Sequence, residues 1–180
     1  IGIVENVAAP SRFKVTVQGR ADHSGATPMG YRQDALVAAA KLVLAVQQAG
    51  LDFADRGVVA TVGVLEVGPG VMNVIPGQVV LYVDLRGVEE ESIDSARRQM
   101  TDAVREIAES DSVVVTVDFL SIDKPVALSG EMTELLLSVS EELGMDYRRM
   151  NSGAGHDAMY MQELTQSGMI FIPCAEGISH

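Results

Sequence analysis

Residues 11–21 alternate, with Phe13, Val15 and Val17 on one side and Arg12, Lys14, Thr16, Gln18 and Arg20 on the other. That period of two predicts a half-buried strand. After the loop DHSGATPM, Ala35, Ala38, Leu42, Val46 and Ala49 recur at helical spacing, and Gly50 stands where a helix-ending glycine belongs. Residues 58–67 and 78–87 read as strands flanking the loop GPGVMNVIPG, the second with Val79, Leu81, Val83 and Leu85 on one face. Residues 90–109 predict a helix with the stripe Ile93, Ala96, Met100, Val104 and Ile107, and residues 112–121 a further strand. Glu89, Glu90 and Glu91 fall at the helix start, where the helix dipole favours anions.

The order β-α-β-β-α-β is the ferredoxin-like arrangement, an antiparallel sheet with two helices on one face. The fold class expected is therefore α/β in the broad sense, more strictly α+β. The first domain is placed at residues 9–121. Beyond Lys124-Pro125 the rhythm changes: a helix over 130–143, a short strand at DYRRM, the glycine-rich loop SGAGHDA, a helix at MYMQELTQ and a buried strand at GMIFIP. Residues 122–180 are read as part of a second, α/β domain, and residues 1–8 as the end of a strand or linker preceding the first. Some 60 residues are marginal for an independent core of that type. Beginning inside a strand-like run and ending just after another and a short polar loop, the chain reads as a stretch of a longer protein.

Composition narrows the partners. With a net charge of -12 and 4% aromatic residues, the chain lacks both the basic field and the stacking platforms of nucleic-acid binders. No signal peptide and no run of membrane-spanning length is read from the sequence. The lone Cys174 permits no internal disulfide, which favours a reducing, cytoplasmic setting.

The three histidines, His23, His156 and His180, all fall in loops rich in Gly or Ser. Polar loops collect polar residues, but loops on a rigid scaffold are also where sites are built. His23 could donate a hydrogen bond to a substrate oxygen. Asn73, in GVMNVIPG, serves either a turn or a ligand. Arg86, at a strand end, either pairs with Asp84 or grips a carboxylate with a bidentate fork. His156 follows Gly153, Ala154 and Gly155, small residues that permit close backbone approach, before a helix start that either offers free amides or is capped by Asp157. His180 alone makes no metal site. His23, Asn73 and Arg86 are expected to converge on one hollow admitting a small anion.

HSGATPM with RQDA, MNVIPG with DLRG, SGAGHDAM and MIFIPCAEGISH, in this order, resemble the di-metal amidohydrolases of the hydantoinase/carbamoylase family, relatives of metal-dependent aminoacylases and carboxypeptidases. The resemblance implies a catalytic domain carrying an inserted lid, or dimerisation, domain, and a homodimer formed through the lid. It implies that His23 stabilises the oxyanion of a tetrahedral intermediate, typically in the partner subunit's site. It further implies that Asn73 and Arg86 bind a substrate carboxylate, that Gly153, Gly155 and His156 line the substrate, and that His180 is a metal ligand. The implied cofactors are two divalent metal ions (Zn, Mn, Co or Ni). The family's other metal ligands and its glutamate base precede the lid, and neither an HxD motif nor a Glu-Glu pair precedes residue 11. The expected activity is cleavage of a linear amide or ureido C–N bond, first of an N-carbamoyl-L-amino acid, with allantoate or a β-ureidopropionase substrate as alternatives. This stretch is expected to be inactive by itself. A competing reading of another class is a stand-alone dimerisation or small-molecule-binding module.

Overall fold

The computed structural model describes residues 1–177. The chain divides into two units, Pro10–Asp123, and Ile1–Ala9 together with the residues from Lys124 onward. Strand β1 (Gly2–Val7) belongs to the second of these and is taken up with it.

The larger unit is built from β2 (Ala9–Gln18), the two-residue β3 (Asp22–His23), α1 (Ala35–Asp52), β4 (Val59–Gly68), the two-residue β5 (Val74–Ile75), β6 (Gln78–Gly87), α2 (Glu90–Ser110) and β7 (Val114–Ile122). Its main sheet has the order β4-β6-β2-β7, with β4 antiparallel to β6 and β2 antiparallel to β7. This is the expected ferredoxin-like sheet. The predicted alternation is realised: Phe13, Val15, Val17, Leu81, Val83 and Leu85 are buried and share one core with Leu42 and Val46 of α1 and Ile93, Ala96 and Met100 of α2. Both helices thus cover the same sheet face. The opposite face carries Arg12, Lys14, Tyr82, Asp84 and Arg86.

Asp34 starts α1, its carboxylate accepting from the amides of Leu36 and Val37. Gly50 does not end the helix, contrary to expectation; α1 runs on to Asp52, and the chain reverses at Gly57 in the left-handed region. Gly50 is there for space, since a Cβ would lie 3.2 Å from Ala60 of β4. α1 also departs from the expectation that no run approaches membrane-spanning length. Its 18 residues have a mean hydropathy of 1.3, enough by length and apolarity. The buried stripe Ala35, Ala38, Leu42, Val46 and Ala49 against the sheet accounts for that apolarity as a core helix.

The smaller unit centres on β1. It pairs antiparallel with β8 (Val126–Ala127) and later with β10 (Met169–Phe171), and parallel with β9 (Arg148–Ser152). Helix α3 (Gly130–Glu142) is capped by the Ser129 hydroxyl, and the short α4 is Ala158–Gln162. Val4, Val7 and Leu128 form the buried centre, with Met150, Met159, Met169 and Phe171 against it. Arg149 ties strand to helix by bonding Glu5 and Glu134 at 2.8 Å each. The GMIFIP strand was expected to be buried. Instead β10 pairs only with β1 among the described residues, and Ile170 and Ile172 are exposed.

Candidate active site

The loop DHSGATPM is built on close backbone contacts. Gly19 donates to the Gly77 carbonyl at 2.8 Å, and Arg20 to the Gln33 carbonyl at 2.8 Å. A Cβ on Gly19 would lie 2.1 Å from the Gln33 oxygen, and one on Gly77 2.8 Å from the Ala21 nitrogen. Only glycine lets these segments approach so closely. Above this base β3 pairs with β5 in the register His23↔Val74, and the Ser24 amide donates to the Asn73 carbonyl at 3.0 Å. His23 and Asn73, 50 positions apart in sequence, are therefore neighbours, and both are exposed.

The His23 ring is oriented by its own loop. Its Nδ1 accepts from the amides of Gly25 (3.0 Å) and Ala26 (3.2 Å). Two N–H donors aimed at one ring nitrogen require it to be bare, so the neutral ring carries its proton on Nε2. The flipped ring would turn a C–H toward both amides, which rules against it. His23 therefore presents an N–H donor away from its loop, the form an oxyanion needs.

Arg86 does not join this pair within the unit. It lies at the far end of β6, eight positions beyond Gln78, roughly 26 Å at the usual rise of a strand. It makes the ion pair that the sequence left open: Nε and Nη2 donate to the two Asp84 oxygens at 2.6 and 3.1 Å, and Arg12 adds a bond at 2.9 Å. The Arg86 hydrogen bonds lower the pKa of Asp84, partial burial opposes them, and the Arg12 bond adds to the lowering. Arg86 is in turn raised by the Asp84 bond. Arg12 was not singled out from sequence. Its signal was its place on the polar face of β2, beside the same face of β6.

Gly153, Gly155 and His156 lie in the smaller unit, between β9 and α4. Among the described residues no Cβ clash explains Gly153. His156 is half-buried, tilted against Phe171 with ring centroids 5.5 Å apart, and its Nε2 lies 3.0 Å from the buried Ser152 hydroxyl. Ser152 gives its one proton to the Ala154 carbonyl at 2.8 Å. Nε2 must therefore be the donor, so His156 does not activate Ser152 as a nucleophile. Asp157 makes no side-chain cap, contrary to one expectation, and in α4, five residues long, the Met159 and Tyr160 amides donate to the His156 and Asp157 carbonyls.

His180 lies outside the described residues. Among the described residues no group of three or more His, Cys, Asp or Glu is placed to hold a metal ion, so these residues do not by themselves fit the metal pair that the resemblance implies.

A model of the M20 peptidase dimerisation domain matches residues 11–112, more than half of the chain. The chain belongs to that family. Over its whole length this dimerisation-domain chain is 43% identical to an uncharacterised hydrolase of Haemophilus influenzae, covering 44% of it. It is 40% identical to an N-carbamoyl-L-amino-acid amidohydrolase of Paenarthrobacter aurescens, covering 43%. Among solved structures, a hydantoinase/carbamoylase-family amidase of Burkholderia multivorans superposes with a TM-score of 0.93 at 34% identity, over 98% of this chain and 43% of that one. The M20 chain thus spans less than half the length of these curated relatives, one named as a hydrolase and the other as an amidohydrolase.

Proposed function

We propose that this chain contributes the lid of a metal-dependent amidohydrolase that cleaves the amide or ureido C–N bond of a small carboxylate substrate, with N-carbamoyl-L-amino acids as the first candidate and allantoate as the second. The observation that carries this is the His23 imidazole, held as an Nε2–H donor on a loop whose backbone pairs with that of Asn73. Such a donor stabilises charge developing on a carbonyl oxygen, worth about 3 kcal/mol in comparable oxyanion sites. Asn73 supplies a further donor, and Arg86, which holds Asp84 through Nε and Nη2, the cation that the carboxylate faces. Metal activation of the attacking water belongs to residues outside this stretch, so the stretch alone is expected to be inactive. The compartment we propose is cytoplasmic.

We further propose that the lid forms a homodimer and that its two ends serve different sites. Val37, Leu44 and Leu51 recur every seven residues on the exposed side of α1. Beside them runs β4, an edge strand of ten residues with Glu66 as its one charge. Natural edges are usually blunted by charge or proline, and one left this apolar is suited to pairing with a second copy. In such a pair, His23 and Asn73 of one copy would meet the Arg86 end of the other.

The test uses the longer enzyme, metal-loaded, on a panel of carbamoyl amino acids, allantoate and carbamoyl-β-alanine. His23→Ala is expected to lower kcat, and Arg86→Ala to lower kcat/KM. Unfolding and reassembling the two variants together should restore about a quarter of wild-type activity, because half of the dimers are mixed and each holds one intact site. No restoration would mean that both residues act from one copy. Unchanged turnover in His23→Ala would remove the proposed donor.

A further inference from the structure

We propose that Arg32 is a positioning residue that fixes His23 as an Nε2–H donor by gripping the far side of the peptide that His23 holds. The inference rests on the reading of His23 given above. Arg32 is half-buried, and its guanidinium donates to two carbonyls of the histidine loop, Nη2 to Ser24 at 2.6 Å and Nε to Thr27 at 3.1 Å. The Ser24 carbonyl and the Gly25 amide belong to one planar, trans peptide group, so they point in opposite directions. Fixing the oxygen toward Arg32 therefore fixes the N–H away from it, where Nδ1 of His23 lies 3.0 Å off. One peptide plane is held at both ends, a cation on its oxygen and an imidazole on its N–H.

Two consequences follow. The peptide cannot rotate to present its carbonyl to the ring, so Nδ1 never meets an acceptor and the proton stays on Nε2. The cation also polarises the peptide, which makes the Gly25 N–H a stronger donor to the ring. The Thr27 contact holds the other side of the turn, whose Ala26 amide is shared between Nδ1 and the His23 carbonyl at 3.2 Å each. Arg32 has the rigid fork needed to reach two carbonyls at once; a lysine ammonium is a single point donor on a flexible stem. Among the described residues the Arg32 guanidinium donates to no group outside the loop, so its effect on chemistry would pass through His23.

The direct readout is the His23 tautomer, measured in the full chain by two-bond 1H–15N correlation of 15N-histidine-labelled protein at about pH 8, above the ordinary imidazole range. His23 resonances are assigned by their loss in His23→Gln. Wild type should show the Nε2–H form alone. Arg32→Met should give a mixture of both tautomers, and Arg32→Lys an intermediate one. Should Arg32→Met fail to fold, the Lys variant and Arg32→Gln carry the test. A mixed or Nδ1–H form in wild type, or an unchanged Nε2–H form in the Arg32 variants, overturns the proposal. In the longer enzyme Arg32→Met should lower kcat by about 10- to 100-fold with little change in KM, the usual scale for a slightly misplaced group. A tautomer that responds to Arg32 while turnover ignores His23→Ala would sink the functional reading and leave the clamp standing. Turnover that needs His23 but ignores Arg32 would do the reverse.

Discussion

Replacing Gly19 by alanine tests whether the histidine loop depends on its close-packed base. The added Cβ would sit 2.1 Å from the Gln33 oxygen and 3.0 Å from the Ala35 nitrogen. The first is more than 1 Å inside ordinary contact, roughly 3.3 Å or more for such atoms. Backbone lies on both sides, so no flexible side chain can move away. The segments must part, and the bonds at stake are Gly19 to Gly77, Arg20 to Gln33 and Ala35 to Pro76, at 2.8, 2.8 and 3.0 Å. Weakening two of them costs about 1 kcal/mol each, and overpacking adds about 1–2. The stiffer unfolded chain returns about 0.5. The net loss expected is about 3 kcal/mol. Urea denaturation should show it as a midpoint lower by about 1.5 M at a slope near 2 kcal/mol/M. The control is Gly30→Ala, where nothing lies within 4 Å of the new Cβ; its stability should stay within about 0.5 kcal/mol of wild type. Equal midpoints for the two variants would refute the steric account of this loop.

Asp34→Ala removes the carboxylate that accepts from Leu36 and Val37, and should cost about 1 kcal/mol in the same titration. Asp84 has a lowered pKa, so its contribution is present above the unfolded carboxylate value of about 3.9 and is lost as pH falls through the lower folded value. Asp84→Asn should therefore flatten the acid limb of the stability profile, by no more than about 1 kcal/mol given its solvent exposure. Ser152→Ala leaves the Ala154 amide and His156 without their shared partner. It should lower stability by about 1–3 kcal/mol while leaving turnover of the longer enzyme unchanged, the outcome that separates a structural serine from a nucleophile.

What could be read from sequence follows the range of the interactions that decide it. The faces of β2 and β6 are set by alternation and by a core that one face must join, so Val15, Val17, Leu81 and Leu85 were legible. Gly50 was misread because a glycine near a helix end usually marks a stop. Its real constraint is Ala60 on a neighbouring strand, which no local pattern announces. The β10 run is apolar enough to read as buried, yet burial depends on what lies beside it. The adjacency of His23 and Asn73 rests on a two-residue ladder, shorter than any period a pattern could reveal. Arg32 was hidden for a different reason. It recognises carbonyl oxygens, which every residue has, so spacing carries no mark of it.

The geometry of β6 bears on how a lid of this kind can be shared. A guanidinium at one end of a ten-residue strand and an imidazole near the other cannot meet on one small substrate unless the sheet bends sharply or a second molecule intervenes. The sheet has little freedom to bend, because Val79, Leu81, Val83 and Leu85 are all buried along the length of β6 in the same core as both helices. Bending it would open that core, at a cost of about 25 cal/mol for each Å² of apolar surface exposed. A second copy, by contrast, would cover the apolar row of α1 and the bare edge of β4 that would otherwise face water. In the proposed dimer, association would be the less costly way to bring the two ends to one substrate. The stiffness that suits the domain to pairing would then also oblige each copy to complete a site in its partner.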